Sequence, residues 1–181
     1  MNICVFCGSA QGANSRYAEA ARALGTQIAI SSHTLIYGGG NIGLMGILAD
    51  EVLERRGDVI GIIPEFLLQR EVGHRGVSRL EVVSSMHERK QRMADLADAF
   101  VAMPGGWGTL DELAEILTWR QLGIIHQPVG ILNVHHFFDP LLSQMRLMVD
   151  EGFLSENQID QLHIEITPEK LLGELDHAIS R

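Results

Sequence analysis

Ala99-Phe100-Val101-Ala102-Met103-Pro104-Gly105-Gly106-Trp107-Gly108-Thr109, continued by Leu110-Asp111-Glu112-Leu113-Ala114-Glu115, decides the fold. The apolar run Ala99–Met103 reads as a strand, and a helical pattern covers Leu110–Gly123. Between them, Gly105, Gly106 and Gly108 let the backbone approach a ligand with no Cβ in the way. A glycine turn feeding a helix N-terminus offers unpaired N–H groups, and the helix dipole adds to their attraction for an anion. The stretch is therefore a candidate phosphate cradle. It lacks the Gly-Lys-Ser/Thr ending of a P-loop, which excludes that class of NTPase.

Outward from this stretch, strands and helices alternate. Asn2–Cys7 is an apolar run, followed by a loop at Gly8–Gly12 and an alanine-rich helix from Ser15 to Ser31. Leu35–Tyr37 ends in Gly38-Gly39-Gly40 and leads to a helix over Gly43–Arg55. Asp58–Ile63 is a strand stopped by Pro64, and Glu65–Arg79 is a functional loop with some helix. Leu80–Val83, Pro128–Leu132 and Ile164–Ile166 complete the strands; Ser85–Leu96, Phe137–Glu151 and a segment from Thr167 complete the helices. This alternation predicts an α/β fold, a Rossmann-like doubly wound parallel sheet with helices on both faces. Unbroken apolar strands fit burial on both sides. In such sheets ligands bind beyond the carboxyl ends of the strands, so Gly8-Ser9, Gly38–Gly40, Pro104–Gly108 and the helix start at Ser85 should converge on one pocket.

The chain has 181 residues, enough for one domain spanning 1–181 with its own core. A net charge of −9 argues against sequence-independent nucleic-acid binding and against an anionic membrane surface. No run approaches the roughly 18 apolar residues of a membrane span, and no signal-like segment opens the chain, so the expected location is cytoplasmic. Cys4 and Cys7 lie three apart on a strand and face opposite ways, which reads as inert buried thiols. No metal-ligand spacing occurs, and His135-His136 reads as surface loop.

Gly38–Gly43 spells G-x-G-x-x-G, but no acidic residue closes the next strand, so a close backbone turn or a substrate contact outranks dinucleotide binding. Thr109-Leu110-Asp111-Glu112 has two readings: a capping box, or a carboxylate at the mouth of the pocket. Leu110, Leu113, Ala114 and Leu117 form the expected core stripe, leaving Glu112 beside the glycine turn. Ser85 and Glu88 form a second candidate capping box. Arg89 and Lys90 follow in the early turns, where the dipole disfavours cations, so either an anionic ligand or salt bridges lie nearby.

Two segments carry a family resemblance. PGGWGTLDE and MHERK match the P-G-G-x-G-T-x-x-E and M-x-x-R-K signatures of the cytokinin riboside 5′-monophosphate phosphoribohydrolases, the "Lonely guy" family. VFCGSAQG, YGGGNIGLMG, GIIPEFL, QRE at Gln69–Glu71, ILTWRQLGI and PVGILN extend the resemblance to about Leu154. Trp107 stands where a tyrosine is frequent, and His74-Arg75-Gly76 departs from the family's loop.

The resemblance implies hydrolysis of the N-glycosidic bond of an adenosine 5′-monophosphate, N6-modified or plain, to free base and ribose 5-phosphate. It implies Arg89 and Glu112 as the catalytic pair. Gly105, Gly106, Gly108 and Thr109, with Gly8 and Ser9, become the phosphate cradle; Glu71, Met86, Lys90 and Thr118 line the nucleotide site, and Trp107, Leu110 and Asp111 count among the substrate-binding residues. No cofactor or metal is implied, the partner is a small nucleotide, and the expected assembly is a homodimer. A pyridoxal-phosphate decarboxylase would need a Schiff-base lysine, and the chain offers only Lys90 and Lys170, neither in a convincing context. The remaining alternatives are a nucleotide sensor or carrier without turnover and a general AMP nucleosidase.

Overall fold

The computed structural model describes residues 1–68 and 73–180. In chain order the elements are β1 (Asn2–Phe6), α1 (Ser15–Ile30), β2 (Thr34–Tyr37), α2 (Gly43–Glu54), β3 (Val59–Pro64) and α3 (Glu65–Leu68). They continue with β4 (Arg79–Val83), α4 (Met86–Leu96), β5 (Ala99–Ala102), α5 (Trp107–Gln121), β6 (Val129–Leu132) and α6 (Asp139–Asp150). Last come α7 (Glu156–Asp160), β7 (Leu162–Glu165) and α8 (Pro168–Ile179). Among the described residues the strands form one parallel sheet in the order β4-β3-β2-β1-β5-β6-β7. The expected α/β doubly wound architecture is the one observed.

Period-2 alternation divides the core. Ile3, Val5 and Cys7 face one side with Leu24 and Ile28 of α1, Leu48 and Val52 of α2, and Leu171 and Leu175 of α8. Cys4 and Phe6 face the other, with Met93 of α4, Leu113 and Ile116 of α5, and Phe138 before α6. Phe6 and Phe100 stack there at 6.0 Å between ring centroids. Cys4 and Cys7 are buried free thiols on opposite faces, as their spacing predicts.

The strand order reverses between β1 and β5, where chains leaving neighbouring strands diverge and open a crevice. The Gly8, Gly38 and Gly105 turns all follow strands around this point.

Several local expectations need correction. The helix after the glycine turn starts at Trp107 with Gly106 as its cap, not at Leu110. Thr109 is therefore a first-turn residue and cannot cap, so of the two readings of Thr109–Glu112 the capping box does not form. The earlier start also rotates the buried face: Thr109, Glu112, Leu113 and Ile116 point inward, while Ala114 is exposed. Ser85 does cap α4, accepting from the Glu88 N–H at 3.1 Å. Glu88, however, reaches past the cap to the Ser84 N–H at 2.7 Å and the Ser84 hydroxyl at 2.6 Å. The sequence reading missed α7, whose start carries a complete Ser155–Gln158 capping box. β7 ends at Glu165 and leaves Ile166 exposed.

Candidate active site

The cleft begins with the turn after β5. Gly8 N–H donates to Pro104 O at 3.1 Å, and Leu44 N–H donates to Gly8 O at 3.0 Å, so three chain segments meet. Two glycines make that approach possible. Gly43 has φ +65°, and a Cβ there would overlap the Ser9 backbone; a Cβ on Gly105 would overlap Thr109 Oγ1. The G-x-G-x-x-G stretch is thus a close-packing device.

Beyond these contacts opens a cleft of about 130 Å³, lined by Gly8, Ser9, Gly38, Arg89, Gly106, Trp107, Gly108, Thr109 and Glu112, with Val5, Cys7 and Met45 behind. At its rim stands the N-terminus of α5. The N–H groups of Trp107, Gly108 and Thr109 have no carbonyl a turn earlier to bond, and the first bond of the helix is Leu110 N–H to Gly106 O at 3.1 Å. A Cβ at Gly106 or Gly108 would meet nothing within 4 Å, so the side of the turn they occupy is open. The Thr109 hydroxyl is buried without a hydrogen-bond partner among the described residues. An anion seated here would gain three amide donors, a hydroxyl and the helix dipole.

Arg89 and Glu112 face each other across this cleft. Arg89 is 5% exposed and Glu112 8%, with Nη2 4.0 Å from Oε1. Arg89 Nε donates to Ile62 O at 3.2 Å and Nη2 to Gly38 O at 3.1 Å, while Nη1 points to Met86 Sδ at 3.8 Å. Ends of β2 and β3 thus fix the plane of the guanidinium. Gly38 is required for that seat: a Cβ there would overlap Arg89 Nη2. Burial, reinforced by Glu112 and opposed by Arg89, pushes the Cys7 thiol far above its ordinary range, so the thiol behind the cleft is protonated.

Among the described residues, Lys90, Leu110, Asp111 and Thr118 do not line this cleft. Lys90 Nζ contacts Asp111 Oδ2 and Glu115 Oε2, each at 3.1 Å, so Lys90 and Asp111 answer each other rather than the cleft. Burial pulls the Lys90 pKa down, but Glu115 and Asp111 outweigh it and hold the ammonium above its ordinary value. Leu110 packs at the edge of the core. Thr118 is exposed further along α5, its hydroxyl donated to Ala114 O at 2.7 Å. Glu71 lies outside the described residues. Gly38 lines the cleft, as the triple glycine at a strand end predicts, whereas Val5, Cys7 and Met45 line it without a signal in the sequence. A larger crevice of about 270 Å³ lies around Arg120 between α5, α6 and α7, away from the carboxyl ends of the strands and from Arg89 and Glu112.

A family model described as "Possible lysine decarboxylase" matches residues 45–175. The chain is also 45% identical over 174 residues to the cytokinin riboside 5′-monophosphate phosphoribohydrolase LOG4 of Arabidopsis thaliana, covering 96% of this chain and 81% of that protein. The chain belongs to the LOG family. It is 51% identical over 155 residues to the LOG protein of Oryza sativa subsp. japonica, a match covering 86% of this chain and 64%, under two thirds, of the rice protein's length. Among solved structures it resembles the molybdenum cofactor binding protein of Rippkaea orientalis, with a TM-score of 0.73, 25% identity, and 98% and 96% of the two chains covered.

The description as a possible lysine decarboxylase does not fit this LOG-family site. A Schiff-base lysine must be available as a free amine. Lys90 is held protonated by two carboxylates, and Lys170 is exposed on α8, no described residue of which lines the cleft.

Proposed function

We propose that this LOG-family chain hydrolyses the N-glycosidic bond of adenosine 5′-monophosphates, N6-modified or plain, to free base and ribose 5-phosphate. The observation that carries the reading is the buried Arg89–Glu112 pair lying next to an open helix N-terminus. Opposite charges and an anion cradle in one cleft match what this reaction needs at its two ends, a phosphate and a glycosidic carbon.

Cleavage passes through an oxocarbenium-like state, positive on the sugar and negative on the departing base. The 5′-phosphate sits on the N–H groups of Trp107, Gly108 and Thr109 with the Thr109 hydroxyl, and Gly8 and Ser9 close the opposite side. The Glu112 carboxylate stabilises the sugar cation and orients the water that bonds to the anomeric carbon as the bond to the base nitrogen breaks. The electron pair of that bond leaves with the base, which takes up a proton from solvent; the attacking water gives up its own. Arg89 has two N–H groups committed to carbonyls and directs the remainder of its planar fork at ribose or phosphate oxygens. It positions charge and supplies hydrogen-bond donors.

The test is product analysis after incubating the pure protein with AMP and with isopentenyladenosine 5′-monophosphate. Release of free base with ribose 5-phosphate supports the hydrolase, and the ratio of rates identifies the preferred base. Binding of both nucleotides without release favours a sensor or carrier.

The proposed assembly is a homodimer. Trp107, Leu122 and Ile124, at the two ends of α5, are 88%, 67% and 62% exposed, and a second copy would cover such apolar surface. A monomer by light scattering at micromolar concentration counts against it. A cytoplasmic location suits two unpaired thiols.

A further inference from the structure

The seat of Arg89 is made by a turn of three consecutive glycines, Gly38–Gly40, which has no side chains of its own to hold it in place. Its neighbours must do so. His74, a buried histidine outside the cleft, does this from two directions, and we infer that it is a positioning residue for the Arg89 guanidinium. The inference rests on the reading of Arg89 and Glu112 proposed above.

Through its main chain, the His74 N–H donates to Gly39 O at 2.9 Å, and the preceding Gly73 pairs with Gly40 as an antiparallel bridge. The peptide next to the Gly38 carbonyl is thereby tied to a second strand of backbone. Through its ring, His74 reaches the helix that follows the same turn. Gly76 N–H donates to Nδ1 at 3.2 Å, so Nδ1 is an acceptor and Nε2 carries the proton. Nε2–H then donates to Asp50 Oδ1 at 2.9 Å, and Asp50 lies on α2. One residue therefore pins both the glycine turn and the helix leaving it. His74 is only 7% exposed, whereas the Asp50 side chain is 59% exposed.

The path from there is short: His74 to Gly39, Gly39 to the Gly38 carbonyl, Gly38 O to Arg89 Nη2, and Arg89 to Glu112. Loosening the ring lets the turn use the freedom its glycines allow, and the guanidinium moves with Gly38 O. Misplacement by about 1 Å costs on the order of 10²-fold in rate, so partial loosening should cost about tenfold.

Asp50→Ala, at an exposed position, tests this with little risk to folding, and Asp50→Asn keeps an acceptor oxygen for Nε2–H. Steady-state hydrolysis is measured per folded molecule, with His74→Ala and the double variant alongside. The expected result is a loss in kcat of about tenfold for Asp50→Ala with KM changed far less, and recovery in Asp50→Asn. His74→Ala should fall at least as far, and adding Asp50→Ala should lower it no further. A purely structural role would lower the unfolding midpoint and leave kcat per folded molecule at the wild-type value; that result overturns the inference. Should the wild-type protein release no base, the hydrolase reading itself fails, and AMP affinity by calorimetry becomes the readout. Weaker binding in Asp50→Ala but not Asp50→Asn then supports positioning, and equal affinities overturn it.

Discussion

Arg89 Nη2 stands 4.0 Å from Glu112 Oε1 with both side chains closed off from bulk water. At that distance the two are held as opposite charges rather than by a direct hydrogen bond. Each offsets part of the other's desolvation, and both face the cavity beside the α5 N-terminus.

Replacing Arg89 by lysine keeps the charge and discards the fork. A lysine ammonium cannot bond Ile62 O and Gly38 O in one fixed plane while facing Glu112. Arg89→Lys should lower kcat by about 10²-fold, the cost of misplacing a catalytic group. Arg89→Ala breaks a buried pair and should also cost about 3–5 kcal/mol of stability. Urea unfolding beside steady-state rates checks both.

A single methyl group at Gly38 should have a similar effect from the other side. The added Cβ overlaps Arg89 Nη2, so Gly38→Ala must drive the guanidinium from its seat. Hydrolysis should fall by about tenfold or more while the protein stays folded. Wild-type kcat in Gly38→Ala would show that the seat is not needed.

Cys4 and Cys7 should resist alkylation. Burial first, then the Glu112 carboxylate, raises both thiols well above their ordinary range, and the thiolate is the reactive form. At pH 8 the folded protein should take up no iodoacetamide over hours, and two labels after denaturation. Labelling of Cys7 in the folded state would mean that solvent reaches the back of the cleft.

His33 should make stability fall in acid. Burial pulls its imidazole below the ordinary value of 6.5, outweighing the opposite pull of Asp176. The fold therefore prefers the neutral ring, and the unfolded chain binds the proton more readily. Stability from this source is complete above the ordinary value and is lost as pH drops through it. Urea midpoints of wild type and His33→Gln between pH 8 and 5 should converge at the acid end; parallel curves would contradict the assignment.

The architecture was legible because buried parallel strands are written as unbroken apolar runs, as at Ala99–Ala102 and Val129–Leu132, each followed by a turn and a helix. The start of α5 was not, because glycines read as helix breakers while here Gly106 caps and Gly108 lies in the first turn. That misreading displaced the inward face and hid the burial of Thr109 and Glu112. The Arg89–Lys90 pair shows a different limit. Adjacent cations share one helical turn, yet one points into the cleft and its neighbour spans to α5, a choice made by where the carboxylates of another helix lie. The ring of His74 is likewise invisible in sequence, since its partner Asp50 stands 24 residues away.

The most direct measurement compares wild type with Glu112→Gln, reading AMP binding by calorimetry and base release by chromatography on the same preparations. The amide keeps the size of the carboxylate and removes the charge that meets the sugar cation. The account predicts AMP affinity within a few-fold of wild type and base release lower by about 10²–10³-fold, the loss typical of removing a transition-state electrostatic contact. Undiminished release from Glu112→Gln would contradict it.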